Sequence, residues 1–165
     1  MWRMINLTKN VLKELLTAEG GRDHWMTLLD SPVMDQFPVT RGLAIRQLSR
    51  ILNRQSLGAE KVLLARKYQV SSWLHDGLRE LLKQEDPWSE EDEAKLGWPT
   101  VSKLYRIRED YYKQRLQQLN TRLQLQSARA MAHPTPGNLG SMDDGSINSG
   151  IVREFGTELD VMKRC

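Results

Sequence analysis

Between Trp73 and Leu82 the apolar residues Trp73, Leu74, Gly77, Leu78, Leu81 and Leu82 fall at i, i+1, i+4, i+5, i+8 and i+9. That spacing follows the 3.6-residue period and predicts a helix from Ser71 or Ser72 to Lys83 with one continuous apolar side. A helix of this kind must bury its stripe against other elements, so a packed helical body is required. No segment alternates apolar and polar residues over enough positions for a strand, and no internal repeat is visible. The expected fold class is all-α: short helices packed as an irregular bundle, one longer C-terminal helix, and a disordered tail.

The remaining helices are read from the same period. Thr8 can cap a first helix to Ala18, with Val11, Leu12, Leu15 and Leu16 on one face and Gly20-Gly21 as the stop. A short helix and a turn are expected from His24 to Leu29, around Trp25, Met26, Leu28 and Leu29, before Pro32 and Pro38. Thr40 opens a helix to about Leu52 whose stripe is Ala44, Leu48, Ile51 and Leu52, leaving Arg41, Arg46, Gln47 and Arg50 wet. A further helix runs from about Ala59 to Tyr68. Ser89-Glu90-Glu91-Asp92 is a helix start, since a serine hydroxyl accepts an orphan N–H and acids favour the positive end of the dipole. Gly97 suits the left-handed position that ends that helix. Thr100 begins the long helix, expected to about Met131, with Val101, Leu104, Ile107, Tyr111, Leu116, Leu119 and Leu123 as a stripe that drifts away from a strict heptad. From His133 the run HPTPGNLGSMDDGSINSG offers almost nothing to bury and reads as disordered. Ile151 to Met162 is expected to form a weak helical turn or two. The organisation is therefore 1–23, an N-terminal helix and linker; 24–131, the helical region; and 132–165, the disordered tail.

A length of 165 residues suits one domain of ordinary size. The hydrophobic share of 39% is low beside the roughly 45–50% apolar usage of typical domains, so a modest core with segments outside it is expected. The net charge of +3 is too small to imply nucleic-acid binding by itself. Cys165 is the only cysteine, which excludes an internal disulfide, a thiolate metal site and the prenylation pattern. No apolar run approaches the roughly 20 residues of a membrane span. MWRMINLTKN lacks the apolar centre and cleavage site of a secretory signal, so cytoplasm or nucleus is the expected location, with no membrane association.

Chemistry has few candidates. The histidines His24, His75 and His133 share no metal-ligand spacing, and none is matched to a nucleophile. The acids Glu85, Asp86, Glu90, Glu91, Asp92 and Glu93 sit in a polar loop and a first turn, where a solvated helix start explains them better than acid–base work. They lack the alternation of an EF-hand, and no phosphate-binding glycine loop follows a strand. No catalytic, cofactor-binding or metal residue is assigned, and no cofactor is expected. The long helix concentrates Lys103, Arg106, Arg108, Lys113, Arg115, Arg122 and Arg129 against Glu109 and Asp110, with Tyr105, Tyr111 and Tyr112 interleaved. The alternative reading is therefore a nucleic-acid contact through Arg106, Arg108, Lys113 and Arg115; a solvated basic face is the plainer one. Trp73 and Trp25 are expected in the core. Trp88 and Trp98 flank the capped helix, as a clamp or as a partner site.

The middle of the chain resembles a known family. The run Leu43-Ala44-Ile45-Arg46-Gln47-Leu48, then Lys61-Val62-Leu63-Leu64-Ala65-Arg66-Lys67-Tyr68, Val70-Ser71-Ser72-Trp73-Leu74, Ala94-Lys95-Leu96-Gly97-Trp98 and Ile107-Arg108-Glu109 is similar in order and spacing to the C-terminal helical part of BTB/POZ-domain proteins of basidiomycete fungi. The likeness covers roughly His24 to Asp110. It departs at Asp30-Ser31-Pro32, where the family continues a helix, and the residues before His24 do not supply the family's mixed sheet. The resemblance implies a truncated, possible-fragment form of that domain. It implies a non-enzymatic protein–protein interaction module with a protein partner or self-association, and transfers no catalytic residue.

Overall fold

The computed structural model describes residues 21–32, 34–55, 58–128 and 142–164. These form seven α-helices and one 3-10 turn, with no strand among the described residues. The helix expected from Thr8 to Ala18 lies outside them. The chain divides into two compact units, Met1–Ser56 and Leu57–Cys165, a cut that falls inside the 24–131 region.

In the first unit, α1 (Arg22–Leu29) is followed by a 3-10 turn (Met34–Gln36) and α2 (Pro38–Gln55). Pro38 takes the first helical position, where its missing N–H costs nothing. Trp25 and Leu28 of α1, Met34 of the turn, and Ala44, Leu48 and Leu52 of α2 are buried. Ile51 stays half-buried, Arg46 and Arg50 are exposed, and Arg41 and Gln47 are intermediate. His24 meets the Trp25 ring edge-on at 5.3 Å.

The second unit begins with α3 (Gly58–Tyr68) and α4 (Ser71–Lys83), packed as an antiparallel pair. All six stripe residues of α4 are buried. The turn between the helices is tight: Gln69 adopts φ 54°, and the Val70 N–H donates to the Ala65 carbonyl at 3.0 Å. Gly77 lets the helices approach, because a Cβ there would lie 2.8 Å from the Gly58 carbonyl oxygen. Lys61 of α3 is 1% exposed and forms an ion pair with Glu80 of α4, whose other oxygen, Oε2, is buried without a partner among the described residues.

Helix α5 (Glu90–Leu96) starts as expected: the Ser89 hydroxyl oxygen accepts the Asp92 N–H at 3.1 Å. Gly97 does take a positive φ of 77°, but its ψ of 149° is extended rather than left-handed helical. That region is open essentially to glycine alone. Its N–H closes α5 on Glu93, while its carbonyl accepts the Val101 N–H that opens α6 (Trp98–Ala128), so one glycine makes the whole corner.

The disordered tail expected over 132–165 is corrected from Asp144 onward. Residues 132–141 lie outside the described residues, but α7 (Asp144–Arg164) is a helix of 21 residues, not a weak turn or two. It packs on α4 and α6 through Ile147, Gly150, Ile151, Phe155, Leu159 and Met162. The Asp143 carboxylate caps it, accepting the Ser146 N–H at 3.0 Å. Ile147, Ile151, Phe155 and Leu159 recur every four residues, a helical signal masked by the Gly, Ser, Asn and Asp around it. Low intrinsic propensity yields to burial against two apolar neighbours. Gly150 is needed for the fit, since a Cβ there would lie 2.6 Å from Ile107 Cγ2.

Ion pairs fasten the same helix. Asp144 bonds Arg79 at 2.7 Å and Lys83 at 2.6 Å, both on α4. Hydrogen bonds from Arg79 and Lys83 hold its carboxyl at about 2, below the ordinary 3.8. A carboxylate whose folded value is depressed stabilises the fold above its unfolded value, and that contribution disappears as pH falls through the folded one. Asp144→Asn is therefore expected to be less stable than the parent at pH 6, with most of the gap gone at pH 2. Paired thermal melts at the two pH values check this, and salt should shrink the gap because the pair is exposed.

Candidate functional site

The long helix α6 changes character along its length. Val101, Leu104 and Ile107, at 1%, 0% and 3% exposed, face the core of the second unit. Beyond Tyr111 every residue to Gln124 is exposed except Arg115 and Leu119, which are half-buried. The single stripe expected from Val101 to Leu123 is thus corrected to two. Tyr105, Tyr112, Leu116, Leu119 and Leu123 form the second, at steps of 7, 4, 3 and 4. This is the a/d rhythm of a helix that meets another helix. Four of its members, Tyr105, Tyr112, Leu116 and Leu123, are 42%, 49%, 55% and 58% exposed. The apparent drift of the stripe is the superposition of these two faces.

The four cations considered for nucleic-acid contact do not form one free face. Arg106 pairs with Glu154 of α7 at 3.1 Å. Lys113 pairs with Glu109 one turn back at 2.6 Å, and that hydrogen bond raises its pKa. Arg108 donates to the Leu81 and Gln84 carbonyls at 3.0 and 2.5 Å, and its guanidinium lies 4.1 Å from the centre of the Trp88 ring. The Trp88 indole N–H donates to the same Leu81 carbonyl at 3.0 Å. Leu81 is one of the last four residues of α4, whose carbonyls lack helical partners, so Trp88 and Arg108 together satisfy that helix end. Burial lowers the Arg108 pKa, though a guanidinium stays charged throughout. Arg115 has no ion-pair partner among the described residues.

Tyr105 links the stripe to α5. Its hydroxyl donates to Glu93 Oε1 at 2.5 Å, and its ring lies 4.8 Å from that of Trp88. The bond to Glu93 is the main cause of its raised pKa. Trp88 is buried, so only Trp98 of the flanking pair, 73% exposed, remains available to a partner.

The other candidate places show less organised chemistry. A cleft of about 510 Å³ lies between α6 and α7, lined by Asp110, Tyr111, Gln114, Ser146, Ser149 and Arg153 among others. Its charged groups are engaged: Arg153 pairs with Asp110 at 2.8 Å, and Asp143 caps α7. His75 stands 3.7 Å from Asp76 on the surface of α4, and His133 lies outside the described residues. Glu91 pairs with Lys95, which lowers the carboxyl pKa, while Glu93 accepts the Tyr105 hydroxyl and Asp92 is half-buried, so the acids of α5 are only partly solvated. Among the described residues no group of His, Cys, Asp and Glu is arranged to hold a metal ion, and no helix is long and apolar enough to cross a membrane. No family description, curated protein or solved structure matches the chain.

Proposed function

We propose that the chain is a non-enzymatic protein–protein interaction module, related to the closing helices of BTB/POZ domains, that binds a partner along the exposed half of α6. The observation that carries the reading is the placement of Leu116 and Leu123, both more than half exposed, in one line with Tyr105, Tyr112 and Leu119. Scattered exposed leucines are ordinary; a run at helix-pairing rhythm is a surface built to be covered. The ordered motif series from Leu43 to Glu109 supports association as well. Nucleic-acid binding is less well supported, because Arg106, Arg108 and Lys113 are already held by internal partners.

The double variant Leu116→Gln/Leu123→Gln tests the reading, since glutamine keeps helix propensity and neither leucine is in the core. Burying a leucine contributes about 1.5–3 kcal/mol, so partner retention should fall at least about tenfold. The measurement is quantitative capture on immobilised parent and variant chains, with circular dichroism melts that coincide. Equal retention of the same proteins by both chains would refute the proposal.

A further inference from the structure

Beyond Tyr112 the stripe is bordered by charge of one sign. Between Tyr111 and Ala128 the chain has Lys113, Arg115 and Arg122 and no aspartate or glutamate. Arg108, Arg115 and Arg122 are spaced by seven, so they run along one edge of the stripe in step with its leucines. Arg106 and Lys113, also seven apart, follow the other edge. Arg108, Arg106 and Lys113 have the internal partners already described, whereas Arg115 and Arg122 have no ion pair among the described residues. These edge positions are the ones that choose the partner when two helices pair.

We infer that the exposed half of α6 receives an acidic amphipathic helix, one with an apolar stripe flanked by glutamates or aspartates. This rests on the association reading above and adds the chemistry of the partner. A second copy of this chain fits less well, because it would bring the same cations to both edges with no carboxylate from Tyr111 to Ala128 to meet them. A nucleic acid fits less well too, because phosphates gain nothing from a line of leucines and tyrosines between the cations. An acidic helix satisfies both features at once, the leucines giving affinity and the charges giving orientation and choice of partner.

The test uses the full chain and a fluorescent synthetic peptide of about three heptads with leucine at the a and d positions and glutamate at e and g. A second peptide carries lysine at e and g. Fluorescence anisotropy is expected to show that the glutamate peptide binds and that added salt weakens it, as screened charges require. Arg115→Glu/Arg122→Glu should weaken the glutamate peptide at least tenfold and admit the lysine peptide, which the parent chain rejects. Leu116→Gln/Leu123→Gln should lose both peptides. Equal binding of the two peptides to the parent chain overturns the inference, as does no binding of the glutamate peptide. So does sedimentation showing that copies self-associate through Leu116 and Leu123, or displacement of the glutamate peptide by a short RNA duplex. If the glutamate peptide fails while the leucine variant still loses its captured proteins, association stands and only the acidic partner is wrong. If the leucine variant retains its proteins, the association reading itself has failed.

Discussion

Phe155→Ala is expected to destabilise the second unit by about 3–5 kcal/mol, the cost of emptying a buried phenylalanine site. That is a large part of the roughly 5–15 kcal/mol that holds a typical domain folded. Phe155 is 1% exposed on α7, and the Lys103 ammonium lies 4.8 Å from the centre of its ring while donating to the Glu154 carbonyl at 2.8 Å. Ile151 on the preceding turn is fully buried, and Leu159 on the next is 6% exposed, so little room exists for the site to collapse. Urea denaturation followed by circular dichroism should show a lower midpoint with an unchanged slope. The result discriminates between two accounts of the C-terminal segment. In a disordered tail the same substitution would change stability by no more than about 0.5 kcal/mol.

Glu80→Ala should cost about 3 kcal/mol, for a different reason. It removes the counter-charge of Lys61, which is 1% exposed, and leaves an ammonium without its partner between α3 and α4. Breaking a buried pair from one side typically costs about 3–5 kcal/mol; Glu80 keeps 29% exposure, so water relieves part of that and the lower end applies. Replacing both members, Lys61→Met with Glu80→Leu, should come out close to the parent or above it, because an apolar pair of similar volume avoids the desolvation cost. A urea series on the single and double variants checks this. A single variant as stable as the parent would show that Lys61 reaches water without its partner.

Signals in the sequence are uneven along the chain. Trp73, Leu74, Gly77, Leu78, Leu81 and Leu82 announce α4 by spacing alone, and all six are buried. Ser89 announces the cap of α5, and its hydroxyl makes the expected bond. Local chemistry is sufficient in both cases: the stripe and the cap lie within a few residues of the groups they organise. Lys61 carries no such signal. A lysine reads as solvated until α4 is seen to bring Glu80 to it from 19 residues away. Arg108 likewise reads as one member of a basic face, yet it closes the end of α4 with Trp88.

The candidate surface was half legible. Leu116, Leu119 and Leu123 stand out by period, but period says only that residues share a side of a helix. It does not say whether a neighbour covers that side. Tyr105 and Tyr112 belong to the same line and are separable from Val101, Leu104 and Ile107 only once exposure is known.

The amino-acid sequence by itself determined that this chain is helical and where α2 to α5 run, because the 3.6-residue period and end-capping are local effects. Tertiary structure decided the rest. It extended the weak periodic signal after Asp143 into the full length of α7, because Ile147, Ile151 and Phe155 gain their burial from α4 and α6. It alone divided α6 into a packed length and an exposed one, because burial depends on which neighbours arrive, and those neighbours lie far away in the chain.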